Sequence, residues 1–458
     1  MAFSLSRNAK LYVSTTTGEG TTANPTFSDA NTWQIEVLDG FSFPANTSIQ
    51  EVTVSEAGTD PIRGSQAFTT SIDPVDWSFS SYVRPYNPAT TTIAPELIMW
   101  QAMTTPRAVA GAAPFALGAA GTGVSVGDGV TEINFDVSNK NQITQLQMYY
   151  NLGGDQWYHI EDAVVGSAEF DFGIDQISMI AWSGQARVVN KITDDTGTVT
   201  LSNLQTMANI ANHTEVPTGA SAPNFLQNKL TTVELMDYSD VIDSDTSATV
   251  SGTTLTASGG TPFASATIGD VVVFTGGAGI DTNIGSAKIV GVTSDTIVEL
   301  EIAPGDSAGD VDYTVYAGYD IALTGGSLSV TNNITYLTPE SLGVLNTPIE
   351  HFTGTRAVSG SMSVYLKTGA TDSGTADLFK KISEDFTTIT QNFRAVFHVG
   401  GPAPVRIDFE IPHCHLVVPV IDIQDVISLN IDFNGLPHDG TNYDLEQTNE
   451  LIVNYIAP

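Results

Sequence analysis

Alternating apolar and polar positions dominate the chain and predict strands rather than helices. Early in the chain this two-residue period predicts strands over 33–38, 49–55, 75–83, 142–150 and 165–172. Glycine, serine and threonine between these runs supply turns. We therefore expect a mainly β protein.

Two short segments have a helical pattern instead. The first, 95–103, has proline near its start and an apolar run after it, so we expect a helix covered by a sheet. The second, 375–385, is more charged. Between the first helix and the next strands, the Ala/Gly-rich stretch 104–129 has little periodicity and is predicted to be a long loop.

The apolar pattern occurs twice along the chain. The matched stretches are 35–40 with 321–326, 49–52 with 334–337, 79–84 with 362–367, Leu97 with Leu378, and 175–179 with 425–429. The sequence separation between matched positions changes by only a few residues along the first four pairs. It then decreases at the last pair, because the second copy lacks a long loop of the first. Duplication of this size indicates a building block that packs beside its own copies.

The repeat divides the chain into modules. The first module covers 1–186, a linker covers 187–227, and the second module covers 228–458, opening at 228–230 as the counterpart of 8–11. The second copy is interrupted at 241–318 by short Val/Ile/Thr strands with glycine turns. We expect this stretch to be a small inserted all-β domain, and each module to be a β-sandwich or barrel with one short helix.

Charge narrows the possible functions. The chain of 458 residues has 51 Asp+Glu against 16 Lys+Arg, a net charge of −35, yet only 15% of its residues are charged. Such a surface repels polyphosphate, so we do not expect a high-affinity nucleic-acid binder. With one cysteine, Cys414, no internal disulfide is predicted. We also expect no signal peptide, no membrane span and synthesis in a cytoplasm.

Two short motifs resemble catalytic or metal-binding sites, but each is better explained as an ordinary turn or strand. Gly305–Gly309 resembles the nucleophile loop of a serine protease, but the predicted inserted domain has no histidine to act as base. His413, Cys414 and His415 alternate along a strand without a third ligand on one side.

Asp306, Asp310 and Asp312 do not have the spacing of a calcium loop. We predict no catalytic residue, no metal and no cofactor.

Polar positions opposite the apolar ones are the remaining candidates. They could form an ordinary solvated sheet face or the polar lining of a channel. The predicted channel-lining residues are Glu169, Asp171, Asp175, Ser361, Ser363, Asn430 and Asp432.

Several segments resemble the major tail tube protein of long, flexible-tailed bacteriophages, and most closely that of the T-five-like siphoviruses. They are Glu56-Ala57-Gly58 with Arg63-Gly64-Ser65, Trp77-Ser78-Phe79-Ser80 with Tyr82, and Asn332–Pro339 followed by Phe352-Thr353-Gly354. They occur in both modules. The T-five-like member carries an immunoglobulin-like domain at its C-terminus, whereas here the extra β domain is expected inside the second module.

The resemblance implies a structural virion protein of the tail. With two tail-tube modules per chain, three subunits would form a pseudo-sixfold ring, and stacked rings would conduct the genome from capsid to host. It also implies as partners further copies of the chain, the tail terminator, tape-measure and tail-tip proteins, and double-stranded DNA in transient passage, but no membrane.

The alternative interpretation is an adhesin that binds carbohydrate or a receptor through the inserted domain. It depends on Tyr313, Tyr316 and Tyr319 being exposed aromatic residues there.

Overall fold

The chain folds into antiparallel sheets, and the prediction of a mainly β protein is confirmed. The structure, a computed structural model, describes residues 9–15, 27–29, 31–38, 40–53, 64–87, 91–105, 117–118, 123–135, 142–192, 201, 204, 207, 225–280, 285–305, 307–342, 344–367, 374–384, 393–402, 404–423, 425–437 and 449–457. Within them, the stretch up to residue 192 is called the first half and the stretch from 225 the second half.

Strands make up most of both halves. Those of the first half are β1 (Lys10–Ser14), β2 (Thr32–Ile35), β3 (Thr47–Thr53), β4 (Ser65–Ile72), β5 (Val75–Tyr82), β6 (Val124–Val126), β7 (Gly129–Asn134), β8 (Leu146–Asn151), β9 (Trp157–Asp171), β10 (Met179–Ala186) and β11 (Val188–Lys191). Those of the second half are β12 (Thr232–Ser251), β13 (Thr254–Thr256), β14 (Val271–Gly276), β15 (Ser286–Ser294), β16 (Ile297–Leu300), β17 (Ser307–Gly318), β18 (Leu323–Thr331), β19 (Ile334–Leu337), β20 (Glu350–Thr353), β21 (Ala357–Tyr365), β22 (Phe393–Val399), β23 (Arg406–Leu416), β24 (Val420–Asp422), β25 (Ser428–Gly435) and β26 (Ile452–Ala457).

Each half has a helix at the matching place. Helix α1 (Leu97–Thr104) is buried along its whole length, in agreement with its apolar sequence. Helix α2 (Thr375–Glu384) is amphipathic, and Asp377 in its first turn accepts a hydrogen bond from the Gly374 N–H at 3.1 Å. A carboxylate there offsets the unsatisfied amides and positive dipole end of the helix.

One antiparallel sheet joins the two halves. Its strand order is β5–β10–β9–β18–β21–β25, and the β9–β18 pair connects the first half with the second. We call these six strands the central sheet. Its apolar face lies in a single hydrophobic core to which both halves contribute, including Phe170, Leu328, Met362 and Ile431.

Strand β9 is shared by two sheets. Its first part pairs with β8 and β11, and its last part pairs with β10 and β18. Between them Asp162 has a positive φ of 55°. Its carboxylate accepts hydrogen bonds from Gln147 Nε2 at 2.8 Å and Arg187 Nε at 2.9 Å. These contacts stabilise a backbone conformation that is uncommon outside glycine.

The two halves have the same strand registers. The β8–β9 pair is irregular just after Leu146, which lies opposite Ala163, and the β22–β23 pair is irregular just after Phe393, which lies opposite Cys414. Leu97 of α1 and Leu378 of α2 are both fully buried. These two irregularities and the two leucines therefore occupy similar positions in the two halves.

A second apolar cluster lies within 248–315. Its buried members include Leu255, Val272, Ile289 and Val298. The strands around it pair mainly with one another, β12 with β13 and β17, β14 with β15 and β17, and β13 and β15 with β16. This part of the chain thus has a core separate from the one shared by the two halves.

The stretch 187–227 contains more structure than its polar composition predicted. Strand β11 pairs with β9, and Leu204 and Met207 are helical and buried against Tyr12 and Trp157. The apolar residues recur here at a helical spacing of three within a polar sequence, a weak signal.

The start of the second half also differs from the expected alignment. Asn228–Leu230 is a 3-10 turn, and the strand begins at Thr232. Thr232 pairs with His398 as Lys10 pairs with Asn151, so the strand counterpart of Lys10 is Thr232 rather than Lys229.

Some predicted features fall outside the described residues. These are most of the 104–129 loop, the resembling segment Glu56-Ala57-Gly58 with Arg63, and Asp306.

Candidate channel-lining face

The central sheet has one polar face that continues through both halves. Because side chains alternate across a strand, each of the six strands buries one set and presents the other. The cross-strand rows of this face are Ser78–Ser183–Ser167–Thr331–Ala357, Ser80–Ala181–Glu169–Ser329–Ser359–Asn434, and Asp171–Ser327–Ser361–Asp432.

Six of the seven predicted residues lie on this polar face. Glu169 and Asp171 are exposed on β9, Ser361 and Ser363 lie on β21, and Asn430 and Asp432 are exposed on β25. The register places Ser361 opposite Asp432 and Ser363 opposite Asn430. The structure thus brings together residues that are far apart in the sequence.

Asp175 does not continue the alternation of β9. The strand ends at Asp171, and Asp175 lies in a turn before β10. Ile174, which the two-residue period of Phe170 and Phe172 would place on the buried face, is exposed. The Gly173 N–H donates to Asp171 Oδ1 at 2.9 Å, which begins the turn and ends the two-residue period.

Several residues of the polar face were not among the predicted ones. They are Ser78 and Ser80 of β5, Ser327, Ser329 and Thr331 of β18, and Asn434 of β25. The alternation Ser-Leu-Ser-Val-Thr over 327–331 was visible in the sequence. Only the pairing of β18 with β9 shows that it belongs to the same surface.

The polar face has carboxylates and neutral groups without cations. The segments 75–82, 167–171, 179–186, 323–331, 357–365 and 428–435 contain no Lys or Arg. Neighbouring strands are linked by side-chain hydrogen bonds: Ser167 Oγ to Ser183 Oγ at 2.7 Å, Ser327 Oγ to Ser361 Oγ at 3.2 Å, and Ser363 Oγ to Asn430 Oδ1 at 2.6 Å. Short hydroxyl side chains held in this way give a smooth surface of low charge density.

The other candidate motifs do not form ligand sites. His413 and Cys414 are buried in β23, and burial raises the pKa of the Cys414 thiol above its ordinary value. Asp310 Oδ2 accepts a hydrogen bond from the Ala278 N–H at 3.2 Å, as in an ordinary turn. Among the described residues, no group of three or more His, Cys, Asp or Glu side chains could hold a metal ion.

The aromatic residues on which the adhesin alternative depended are not an exposed group. Tyr313 and Tyr319 are buried, and Tyr316 is half-buried with its ring 5.4 Å from that of Tyr238. That expectation was wrong because β17 turns Tyr313 toward the cluster at 248–315, where it stacks on Phe263. Tyr319 lies just after β17 and packs in the core shared by the two halves, 6.3 Å from Phe393.

In the described part of the chain, no helix is long and apolar enough to cross a bilayer.

Comparison with known proteins gives one clear similarity. The chain is 24% identical over 450 residues to the tail tube protein pb6 of Escherichia phage T5, which covers 96% of this chain and 74% of that protein. The chain resembles a T5-like tail tube protein, as predicted. The similarity to this tail tube protein extends through both halves and the polar face. No family model matches the chain.

Proposed function

We propose that this chain is a structural subunit of a phage tail tube and has no enzymatic activity. The similarity to a tail tube protein over 96% of the chain supports this role. The structural observation that carries the proposal is the cation-free polar face, which runs without interruption across strands of both halves. A subunit that lines a conduit needs such a continuous surface.

The ring consists of three copies. We propose that the two halves are tandem tail-tube modules, so that three chains supply six modules with pseudo-sixfold symmetry. The shared registers of β8–β9 and β22–β23 support this duplication. Stacked rings then form the tube in the virion tail, with tail terminator, tape-measure and tail-tip proteins as further partners.

The polar face lines the lumen and conducts DNA without binding it. Glu169, Asp171 and Asp432 repel phosphate, whereas lysine or arginine would release counterions and hold the duplex. Serine, threonine and asparagine stay hydrated and offer no apolar surface. The genome therefore passes during ejection from capsid to host with little adhesion to the wall.

The stretch 241–318 is an inserted β domain that decorates the outside of the tube. Its separate apolar cluster supports this assignment. Val241 lies opposite Tyr316, so the stretch enters and leaves through neighbouring strands. A surface domain with adjacent ends can be removed without breaking the module.

Electron cryomicroscopy of virion tails tests the proposal directly. Tails built from this chain should show stacked rings in which three copies surround a lumen lined by β5, β10, β9, β18, β21 and β25. Six copies per ring, or a lumen lined by other strands, would contradict the arrangement.

Charge reversal tests the lumen assignment. In Glu169→Lys with Asp432→Lys, tubes should still assemble, but DNA ejection should slow or stop because the lysines hold phosphate. The matched control is Asp240→Lys with Asp295→Lys, which changes the charge by the same amount at two exposed positions. Asp295 lies in the insertion and Asp240 directly precedes it. DNA ejection should be slower from the phage with the variant polar face than from the control phage. Equal ejection rates would indicate that the polar face does not contact DNA.

Removing the inserted domain tests its role. Joining Asp240 to Tyr319 by a short Gly/Ser linker should leave tube assembly intact. Loss of host attachment together with normal tubes would favour the adhesin alternative for this domain, whereas loss of tubes would assign it to the wall.

A further inference from the structure

The junction between β9 and β18 shows how one half of the chain binds the next. Asp171 lies opposite Ser327 and Phe170 opposite Leu328. Beneath this pair, the Phe170 ring is 5.0 Å from that of Phe409, and the Phe172 ring is 4.9 Å from that of Phe397. The junction therefore combines an edge-to-edge strand pair with two aromatic contacts.

The second half has an edge equivalent to the end of β9, and no other strand among the described residues pairs with its outer side. Strand β24 pairs with β25 on one side, Ile421 opposite Leu429, as Phe170 of β9 pairs with Ile180 of β10. Ile421 and Ile423 thus occupy the places of Phe170 and Phe172. Their exposed fractions are 46% and 78%, whereas both phenylalanines are 2% exposed.

The first half has the complementary edge at residues 40–45, next to β5. Ser42 forms a bridge with Ser78: the Ser42 N–H donates to the Ser78 carbonyl at 2.8 Å, and the Ser78 N–H donates back at 2.9 Å. Ser327 of β18 lies against β21 in the same way, opposite Ser361. The segment 40–45 is therefore the counterpart of β18, but it has no strand on its outer side among the described residues.

The backbone of this segment is suited to accept a strand. Because successive amides of an extended segment point to opposite sides, the N–H groups of Phe43 and Ala45 face away from β5. Pro44, which lacks an N–H, falls at a position whose amide would face β5. Its missing donor therefore does not weaken pairing on the outer side.

The side chains of this edge are also suited to apolar residues. Phe43 packs on Tyr150 and Tyr158, with ring centroids 4.9 Å and 5.7 Å apart, and Phe41 lies 5.4 Å from Tyr150. By the registers of β8–β9 and β22–β23, Tyr150 and Tyr158 are the counterparts of Phe397 and Phe409. These are the residues that receive Phe172 and Phe170 at the internal junction.

We propose that β24 of one copy pairs with residues 40–45 of the next copy, repeating the β9–β18 junction between chains. Asp422 then lies opposite Ser42 of the next copy and Ile421 opposite Phe43, while Ile421 and Ile423 pack on Tyr158 and Tyr150 of that copy. The two edges differ, so association is head-to-tail, and three copies form a ring because the rotation between neighbours closes. This interface rests on the proposed tail-tube function and gives it a specific set of contacts.

Substitution at the apolar edge tests the interface. In Ile421→Asp with Ile423→Asp, the chain should stay folded, with an unchanged unfolding temperature, because both side chains are exposed in one copy. The critical concentration for assembly should rise by at least about tenfold, since two charges would be buried at the junction. The control is Ile268→Asp, a single change of the same kind at an isoleucine that is exposed to the same extent as Ile421, 46%, but lies in the insertion. It should assemble normally, and Ile421→Asp alone should not.

A disulfide tests the register. Residues 422 and 42 would form a non-hydrogen-bonded pair with Cα atoms about 4.5 Å apart, within the range for a disulfide. Oxidised Ser42→Cys/Asp422→Cys should give covalent multimers up to the closed ring on a non-reducing gel. The shifted pair Ser42→Cys/Val420→Cys should not, because diagonal neighbours lie about 7–8 Å apart.

The results separate the interface from the function. Normal assembly of the Ile421→Asp/Ile423→Asp chain, or equal cross-linking of both cysteine pairs in tubes, would overturn the interface and leave the tail-tube function standing. Absence of the unmodified chain from virion tails would overturn the function itself.

Discussion

Glu96 is a carboxylate that the fold removes from water. It is fully buried just before α1, where the Trp100 Nε1 donates to Tyr455 Oη at 2.8 Å nearby. Burial raises the pKa of Glu96 to about 7, against smaller lowering effects from its backbone hydrogen bond, Tyr455 and Arg84. Between about pH 4.5 and pH 7, Glu96 is therefore protonated in the folded chain and ionised in the unfolded chain.

The sign of the resulting pH dependence follows. The contribution of Glu96 to stability is fully present below about pH 4.5 and is lost as pH rises through about 7. We expect the free energy of unfolding of Glu96→Gln, compared with that of the unmodified chain, to rise by on the order of 3 kcal/mol when the pH is raised from 5 to 8. Urea unfolding at both pH values measures this difference. The exposed Glu51→Gln is the control, and a difference independent of pH would contradict the prediction.

Two glycines of the central sheet test its close packing. A Cβ on Gly360 would lie 2.2 Å from the Ser327 carbonyl oxygen and 2.5 Å from Phe433 Cζ, whereas a Cβ on Gly325 would have no neighbour within 4 Å. We expect Gly360→Ala to lose about 1–3 kcal/mol, as overpacked sites do, and Gly325→Ala to lose far less. Denaturant midpoints of the two variants make the comparison. Equal losses would indicate that strand propensity rather than packing dominates.

At the scale of elements, a buried ionic cluster connects β12, β22 and β23. His398 Nδ1 lies 2.8 Å from Asp408 Oδ1, and His398 Nε2 lies 3.1 Å from Glu234 Oε1. Burial alone would lower the pKa of His398, but Asp408 and Glu234 together raise it to about 10. The charged imidazolium is thus part of the folded structure.

Removing this imidazolium should have a pH-dependent cost. The contribution of His398 is fully present below about pH 6.5 and is lost as pH rises through about 10. We expect His398→Gln to be destabilised by about 1.5–3 kcal/mol at pH 6 and by less at pH 10.5, because Asp408 and Glu234 lose the imidazolium. Asp408 keeps the Arg406 Nε at 3.0 Å and Glu234 keeps the Ser286 hydroxyl at 2.6 Å, so neither carboxylate is left without a hydrogen bond. Thermal unfolding at both pH values decides this; a larger loss at the higher pH would refute it.

The elements also show how far the sequence was informative. Periodicity predicted β5 and β9 and marked the polar sides of β21 and β25, because these strands bury one face against the core. The apolar run at 95–103 predicted α1, which is buried along its whole length. Periodicity failed at 173–177, where the chain turns and Asp175 leaves the face. The alignment of the two copies was also wrong by one residue in this region. Tyr82 pairs with Met179 and Tyr365 pairs with Ser428, so Met179 corresponds to Ser428 rather than Leu429. A slip of one residue exchanges the two faces of a strand.

The sequence identified individual residues of the polar face, but it did not show that they lie on one surface. The alternation at Glu169, Ser361 and Asp432 marks three separate strands with polar sides. That they share one face depends on β9 pairing with β18, a contact between distant parts of the chain that leaves no local pattern. The separate apolar cluster within 248–315 was easier to anticipate, because its run of short strands and glycine turns is continuous in the sequence.

At the scale of the whole molecule, net charge opposes assembly. Each copy carries a formal −35, so subunits repel one another as they approach. Raising salt from about 0.01 M to about 0.1 M shortens the Debye length from about 30 Å to about 10 Å. We expect this change to lower the critical concentration for tube formation, measured by light scattering. The Ile421→Asp/Ile423→Asp chain keeps this charge and adds two more negative charges, so it should show the same direction of salt dependence at a higher critical concentration. A critical concentration that rises with salt would contradict the prediction.

The covalent connection behind the β9–β18 junction changes how a ring can form. A ring of six separate modules would require six bodies to meet and all six junctions to form between molecules. In the ring proposed above, every second junction is already closed within one chain, so only three bodies lose translational freedom. The two halves are also free to diverge, because positions related by pseudosymmetry are encoded separately. In the arrangement proposed above, one of the two modules therefore carries the insertion alone, and the tube would display three outer domains per ring rather than six.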